Sequence, residues 1–65
     1  MSLKINATAD RIATTLRKAP KFDANALGWE AVRDLCDIAT GGEVDGKPLD
    51  LLTDAVWTRL GGVAR

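Results

Sequence analysis

Apolar residues recur at helical spacing in the first part of the chain. The repeat follows intervals of four, three and four residues through Ile5, Ala9, Ile12 and Leu16. Such spacing puts all four side chains on one side of a helix. It therefore predicts an amphipathic helix from Asn6 to Ala19, with Asn6 as the N-cap and Pro20 as the residue that stops the helix.

A second helical segment begins after a short connection. Either Asp23 or Asn25 can cap it, and the pattern continues to Thr40. Gly28 weakens the first turns by about 1 kcal/mol relative to alanine. Two forms are therefore open, one continuous helix or a short turn followed by a helix that begins near Trp29.

Most positions of this second helix are apolar. Its polar residues fall within one narrow sector, formed by Glu30, Arg33, Asp34 and Asp37. Because the remaining surface is apolar, the pattern predicts that this helix lies in the middle of the fold. Leu35 is then expected deep in the core, and Cys36 is expected to be buried beside it.

The glycine-rich turn that follows separates the second helix from a third. Gly41 and Gly42 end the second helix. The Asp45-Gly46 pair favours a tight turn that would close a very short hairpin between Val44 and Lys47.

Pro48 suits the first turn of the third helix. Leu49, Leu52, Val56 and Leu60 form its apolar side, and Gly61 and Gly62 end it. Trp57 lies at the edge of that side, and core packing is favoured for it over an exposed interface role. The predicted fold class is all-α, a compact three-helix domain, and residues 1–65 are expected to form a single domain.

Charge is unevenly distributed along a chain whose formal net charge is zero. Residues 1–22 carry five bases against one acid, a net charge of +4. Residues 23–54 carry eight acids against two bases, a net charge of −6. The balancing positive charge therefore lies mostly in the first helix, away from the stretch "DLCDIATGGEVDGKPLD".

The sequence offers little for catalysis. The chain has no histidine and one cysteine, so the usual zinc ligand sets and a cysteine-histidine pair are excluded. The glycine pairs lack the lysine and hydroxyl residue of a phosphate-binding loop. We therefore expect no enzymatic activity, no cofactor and no metal site.

The compartment is expected to be the cytoplasm. No apolar run approaches the roughly 20 residues of a membrane helix, and the start "MSLKINATADR" lacks the apolar region of a signal peptide. We therefore expect no membrane association, and a monomer is favoured.

The segregated acids allow two interpretations. They can be ordinary surface charge that stabilises helix N-termini and keeps the protein soluble. Alternatively, they present one anionic face to a basic protein surface, such as one that normally holds nucleic acid. The residues of this proposed acidic face are Glu30, Asp34, Asp37, Glu43, Asp45 and Asp50.

A different function would use the basic first helix. A small DNA-binding regulator could place its lysines and arginines on phosphates. However, the adjoining segment of net charge −6 would repel the phosphate backbone of the DNA, and the sequence shows no helix-turn-helix spacing. Direct nucleic-acid binding is therefore the alternative and not the main prediction.

The whole chain, from "MSLKINATADRIATTLRKAP" to "LLTDAVWTRLGGVAR", resembles the small anti-CRISPR proteins of phages and mobile elements, in particular inhibitors of type I-C systems. The resemblance is one of the full length and not of a motif, so it assigns no binding residues. It implies a non-enzymatic inhibitor, made in an infected bacterium, that binds a subunit of the Cascade effector and blocks its capture of target DNA.

Overall fold

Four α-helices make up the fold in a computed structural model that describes residues 4–62. They are α1 (Ile5–Arg17), α2 (Ala24–Leu27), α3 (Trp29–Ala39) and α4 (Gly46–Arg59). No strand occurs among the described residues. The all-α prediction is confirmed, with α2 as a single-turn addition to the three expected helices.

The helix at the centre of the fold is α4, which packs against both α1 and α3. Its buried residues are Leu49, Leu52, Thr53, Val56 and Trp57. The prediction that the second helical segment lies in the middle is wrong, because α3 buries only Val32 and Cys36. One side of α3 rests on α4 and it also contacts the short α2, but part of its apolar surface stays open, so Leu35 is only half-buried.

The second helical segment is divided into α2 and α3, which is the second of the two predicted forms. The carboxylate of Asp23 caps α2 by accepting a hydrogen bond from the backbone N–H of Asn25, at 3.1 Å. Gly28 then takes a φ of 93°, a conformation that side chains disfavour. The chain turns there, and α3 starts at Trp29.

Helix α1 is displaced slightly from its predicted bounds. Its N-cap is Lys4, which has an extended backbone conformation, and not Asn6. The first helical hydrogen bond runs from the N–H of Thr8 to the carbonyl of Lys4, at 3.0 Å. At the other end the helix ends at Arg17, two residues before the predicted Ala19. The N–H of Lys18 bonds to the carbonyl of Thr15 in a tightened last turn, and Pro20 follows.

Both glycine pairs are helix stops, as predicted. The N–H of Gly42 bonds to the carbonyl of Asp37 at 3.1 Å, and that of Gly41 to Ile38 at 3.0 Å. This pattern satisfies the last carbonyls of α3 and requires a left-handed residue, here Gly41 with φ 65°. The end of α4 repeats the two bonds, and there the N–H of Gly62 reaches the carbonyl of Trp57 at 2.9 Å.

The predicted hairpin between α3 and α4 is absent. Residues 43–45 have no regular structure, and α4 already begins at Gly46, two residues before Pro48. Val44 is buried against the core. Burial of this side chain, and not strand pairing, therefore holds the connection.

Polar contacts join α1 to the end of α4. The Arg59 guanidinium forms an ion pair with Asp10 at 2.5 Å, and its Nη2 donates to the side chain of Asn6 at 3.5 Å. In the other direction, Arg17 donates from Nη2 to the Arg59 carbonyl at 2.6 Å. These bonds fix the register of the two helices.

Substitutions of Leu52 on α4 and Leu35 on α3 are expected to lower the free energy of unfolding by different amounts. Leu52 is fully buried, so Leu52→Ala should destabilise the fold by about 2 to 5 kcal/mol and largely unfold a domain of this size. Leu35→Ala should cost only about 1 kcal/mol, since a half-buried leucine loses part of its burial energy. Urea unfolding followed by circular dichroism measures both, with Asp37→Ala as the surface control. Equal losses for Leu35 and Leu52 would contradict the central position of α4.

Gly62 should not tolerate a side chain. A Cβ atom there would overlap the indole ring of Trp57. We expect Gly62→Ala to lower stability by about 1 to 3 kcal/mol through overpacking, measured by thermal unfolding. Gly42→Ala is the matched control, because a Cβ there meets no atom within 4 Å and only backbone strain is added. If Gly62→Ala lowered stability less than Gly42→Ala, the overlap with the Trp57 ring would not be what excludes a side chain at Gly62.

Candidate protein-binding surface

The acidic side of α3 faces solvent. Glu30, Asp34 and Asp37 are all exposed, and their spacing of four and three residues keeps them on one side of the helix. The buried positions Val32 and Cys36 hold the opposite side against α4. Packing of α3 therefore turns these three carboxylates outward together.

Three residues of the acidic face meet in one surface cleft. The cleft has a volume of about 410 Å³ and lies between α3 and the first turns of α4. Its lining residues are Trp29, Glu30, Arg33, Asp34 and Asp50. The structure thus brings Glu30, Asp34 and Asp50 together, although they are up to 20 positions apart in sequence.

Asp50 has a structural role within this cleft. Its carboxylate accepts a hydrogen bond from Nε of Arg33, at 2.7 Å, and the two form an ion pair that joins α3 to α4. The hydrogen bond with Asp50 raises the pKa of the Arg33 guanidinium, and nearby carboxylates including Asp34 add to it. Asp50 is therefore committed to this pair, and Glu30 and Asp34 are the acids of the cleft that face outward.

Trp29 supplies the apolar wall of the cleft. Its indole Nε1–H donates to the carboxylate of Asp54 at 2.7 Å, and the ring is half-buried. Trp29 is not among the residues that the sequence predicts for the acidic face. Trp29 lies four residues before Arg33, so the two side chains are neighbours on α3, but no local pattern indicates that Asp50 of α4 completes a cleft beside them.

The other three residues of the acidic face lie outside the cleft. Asp37 is near the end of α3, while Glu43 and Asp45 belong to the connection before α4, and all three side chains are exposed. The acidic face is therefore made of two parts, the cleft and the α3–α4 connection. Solvent reaches both parts.

Cys36 belongs to the core. The residue is fully buried, and burial raises the pKa of its thiol, while a hydrogen bond with Thr53 acts in the opposite direction. Thr53 is itself buried and donates to the carbonyl of Leu49 at 2.7 Å. A protonated thiol without solvent access is a poor nucleophile.

The described residues gather no group of three or more His, Cys, Asp or Glu side chains that could hold a metal ion. Within the same range, no helix has both the length and the apolar character needed to cross a membrane.

Comparison with known proteins gives no relative. No family model matches the chain, and no curated protein and no solved structure is significantly similar to it. The surface chemistry of residues 4–62 is therefore the basis for assigning a function.

The thiol of Cys36 should react slowly in the native protein. Burial blocks access and keeps the thiol protonated at neutral pH, so we expect little reaction with a disulfide reagent until denaturant is added. The measurement is the rate of release of the coloured thiolate with and without urea. Fast reaction of the folded protein would show that α3 is packed differently.

Proposed function

We propose that the protein acts by non-enzymatic, stoichiometric binding to a positively charged surface of another protein. The observation that carries this proposal is the cleft on α3 and α4, where Glu30 and Asp34 face solvent beside the indole of Trp29. Carboxylates next to an aromatic ring suit a lysine or arginine side chain, which gains both charge and ring contacts.

Long-range attraction supports the same partner class. The segment from residue 23 to 54 has a net charge of −6, with eight acids and two bases. Complementary charge speeds the encounter of two proteins and is weakened by salt. A basic surface that normally holds nucleic acid meets this description.

For the identity of the partner we propose a subunit of a bacterial CRISPR effector of the Cascade type, bound in the host cytoplasm. Binding of this small domain would block capture of target DNA. Two arguments support this partner, the whole-chain resemblance to type I-C anti-CRISPR proteins and the basic channel that any DNA-capturing complex needs. No direct contact of the inhibitor with nucleic acid is required.

The alternative is a DNA-binding regulator that uses α1, and the exposed bases of the first segment favour it. Lys4, Arg11, Lys18 and Lys21 are all exposed. Arg17, however, is turned toward α4, where it donates to the carbonyl of Arg59. Arg17 stays exposed but is engaged within the fold, and the acids of residues 23–54 would repel DNA phosphates nearby, so this function is the second candidate.

Reversing charge on the acidic face should abolish binding and preserve the fold. We would combine Glu30→Lys, Asp37→Lys and Asp45→Lys, which are exposed positions. Because attraction becomes repulsion, we expect the affinity for a purified Cascade effector to fall by at least about tenfold, or 1.4 kcal/mol. Binding is measured by surface plasmon resonance, the effector's DNA capture by gel shift, and helicity by circular dichroism.

The matched control is Lys4→Glu with Lys21→Glu, which changes exposed charge on the other segment. Binding and inhibition should survive this change, and the parent protein alone should not shift DNA at low salt. If the acidic reversal still bound and inhibited while the basic reversal lost both, the acidic face would be ordinary surface. A salt-dependent DNA shift by the parent protein would favour the regulator.

A further inference from the structure

An open apolar groove lies between α1 and α3, separate from the acidic cleft. Its volume is about 520 Å³, and its lining residues are Arg11, Ile12, Thr15, Leu16, Leu35, Ile38 and Ala39. Ile38 is 75% exposed, and Leu16 and Leu35 are half-buried. The groove thus leaves large aliphatic side chains in contact with solvent.

The groove follows from the way the helices pack. Helices α1 and α3 make their main contacts with α4, so the sides that they turn toward each other form the walls of the groove. Exposed aliphatic side chains grouped in one concave place are typical of an interaction site, whereas single exposed ones are ordinary.

Opposite charges border the two walls. Arg11 lies on the α1 wall, and Lys18 follows it by seven residues on the same side of the chain. On the other wall, Asp34 lies one helical turn before Ile38, and Glu30 lies one turn before Asp34. All four charged side chains are exposed, so the groove has a basic border on α1 and an acidic border on α3.

This arrangement is complementary to itself. A two-fold axis that runs along the groove places α1 of one copy over α3 of the other, and the reverse contact follows by symmetry. Each basic border then faces an acidic border, while Leu35 and Ile38 of one copy cover Leu16 of the other, above the buried Ile12. We propose that the groove is the interface of a homodimer with this symmetry.

A second copy fits the groove better than the basic partner of the proposed function. A uniformly basic surface would be repelled by Arg11 and Lys18, and a uniformly acidic one by Glu30 and Asp34. The occupant must carry an apolar side with opposite charges on its two borders, which this chain does. The proposed homodimer differs from the monomer expected from the sequence.

The dimer can be tested without knowledge of the proposed partner. Analytical ultracentrifugation over a wide range of concentrations should show a monomer–dimer equilibrium for the parent protein. Ile38→Asp should raise the dissociation constant at least about tenfold, because it places a charge in the apolar centre. Leu51→Asp is the control, since Leu51 is 61% exposed on α4 and does not line the groove.

A charge exchange tests the symmetry itself. Arg11→Glu and Asp34→Arg should each weaken the dimer, because each places like charges across the interface. An equimolar mixture of the two variants should dimerise again, since both cross-interface pairs in the heterodimer are then attractive. Circular dichroism shows that each variant is folded.

Three results would overturn the proposal. A parent protein that stays monomeric at every concentration has no such dimer. Equal dissociation by Leu51→Asp and Ile38→Asp would place the interface elsewhere. A mixture of the exchange variants that fails to dimerise would exclude the two-fold pairing of α1 with α3. Because Glu30 also borders the groove, the acidic-face reversal is examined by ultracentrifugation as well, so that loss of the dimer and loss of effector binding are distinguished.

Discussion

Burial of α4 against two helices at once is the packing on which the other parts of this structure depend. Leu52 and Val56 are fully buried, and α1 and α3 both take their positions from contact with α4. A chain of 65 residues has material for one core only. Removing apolar contact from α4 therefore loosens both outer helices together, because neither has another large surface to pack on.

The same packing determines how the acidic side is presented. Val32 and Cys36 pack α3 against α4. Two polar contacts also join these helices, Arg33 with Asp50 and Trp29 with Asp54. Because these contacts fix the rotation of α3 about its own axis, Glu30 and Asp34 face solvent at the cleft between α3 and α4. A pre-oriented surface loses less entropy on binding than a mobile one.

The sequence predicted the helices well because their signals are local. Periodicity located α1, α3 and α4, and the glycine pairs located the ends of α3 and α4. The pairing of Arg33 with Asp50 and the inclusion of Trp29 in the cleft could not be predicted in this way. They depend on the angle between α3 and α4, which arises from packing between segments distant in sequence.

The wrong prediction of the central helix has a physical cause. Composition reports how much apolar surface a helix has, but not whether another helix is available to cover it. In α3, the apolar positions beyond Val32 and Cys36 exceed what α4 covers, so Leu35 and Ile38 line a groove instead of the core. The excess that made α3 look central is therefore the same surface that forms the proposed dimer interface.

The two proposed surfaces share a border but differ in their response to salt. Asp34 lies between the acidic cleft and the apolar groove, whereas Asp37, Glu43 and Asp45 line neither. Attraction between exposed charges is screened by salt, while burial of aliphatic side chains is not weakened by it. Rising ionic strength should therefore release a basic partner before it separates the two copies, and a dimer with two acidic faces would bind adjacent basic sites with higher avidity than one copy.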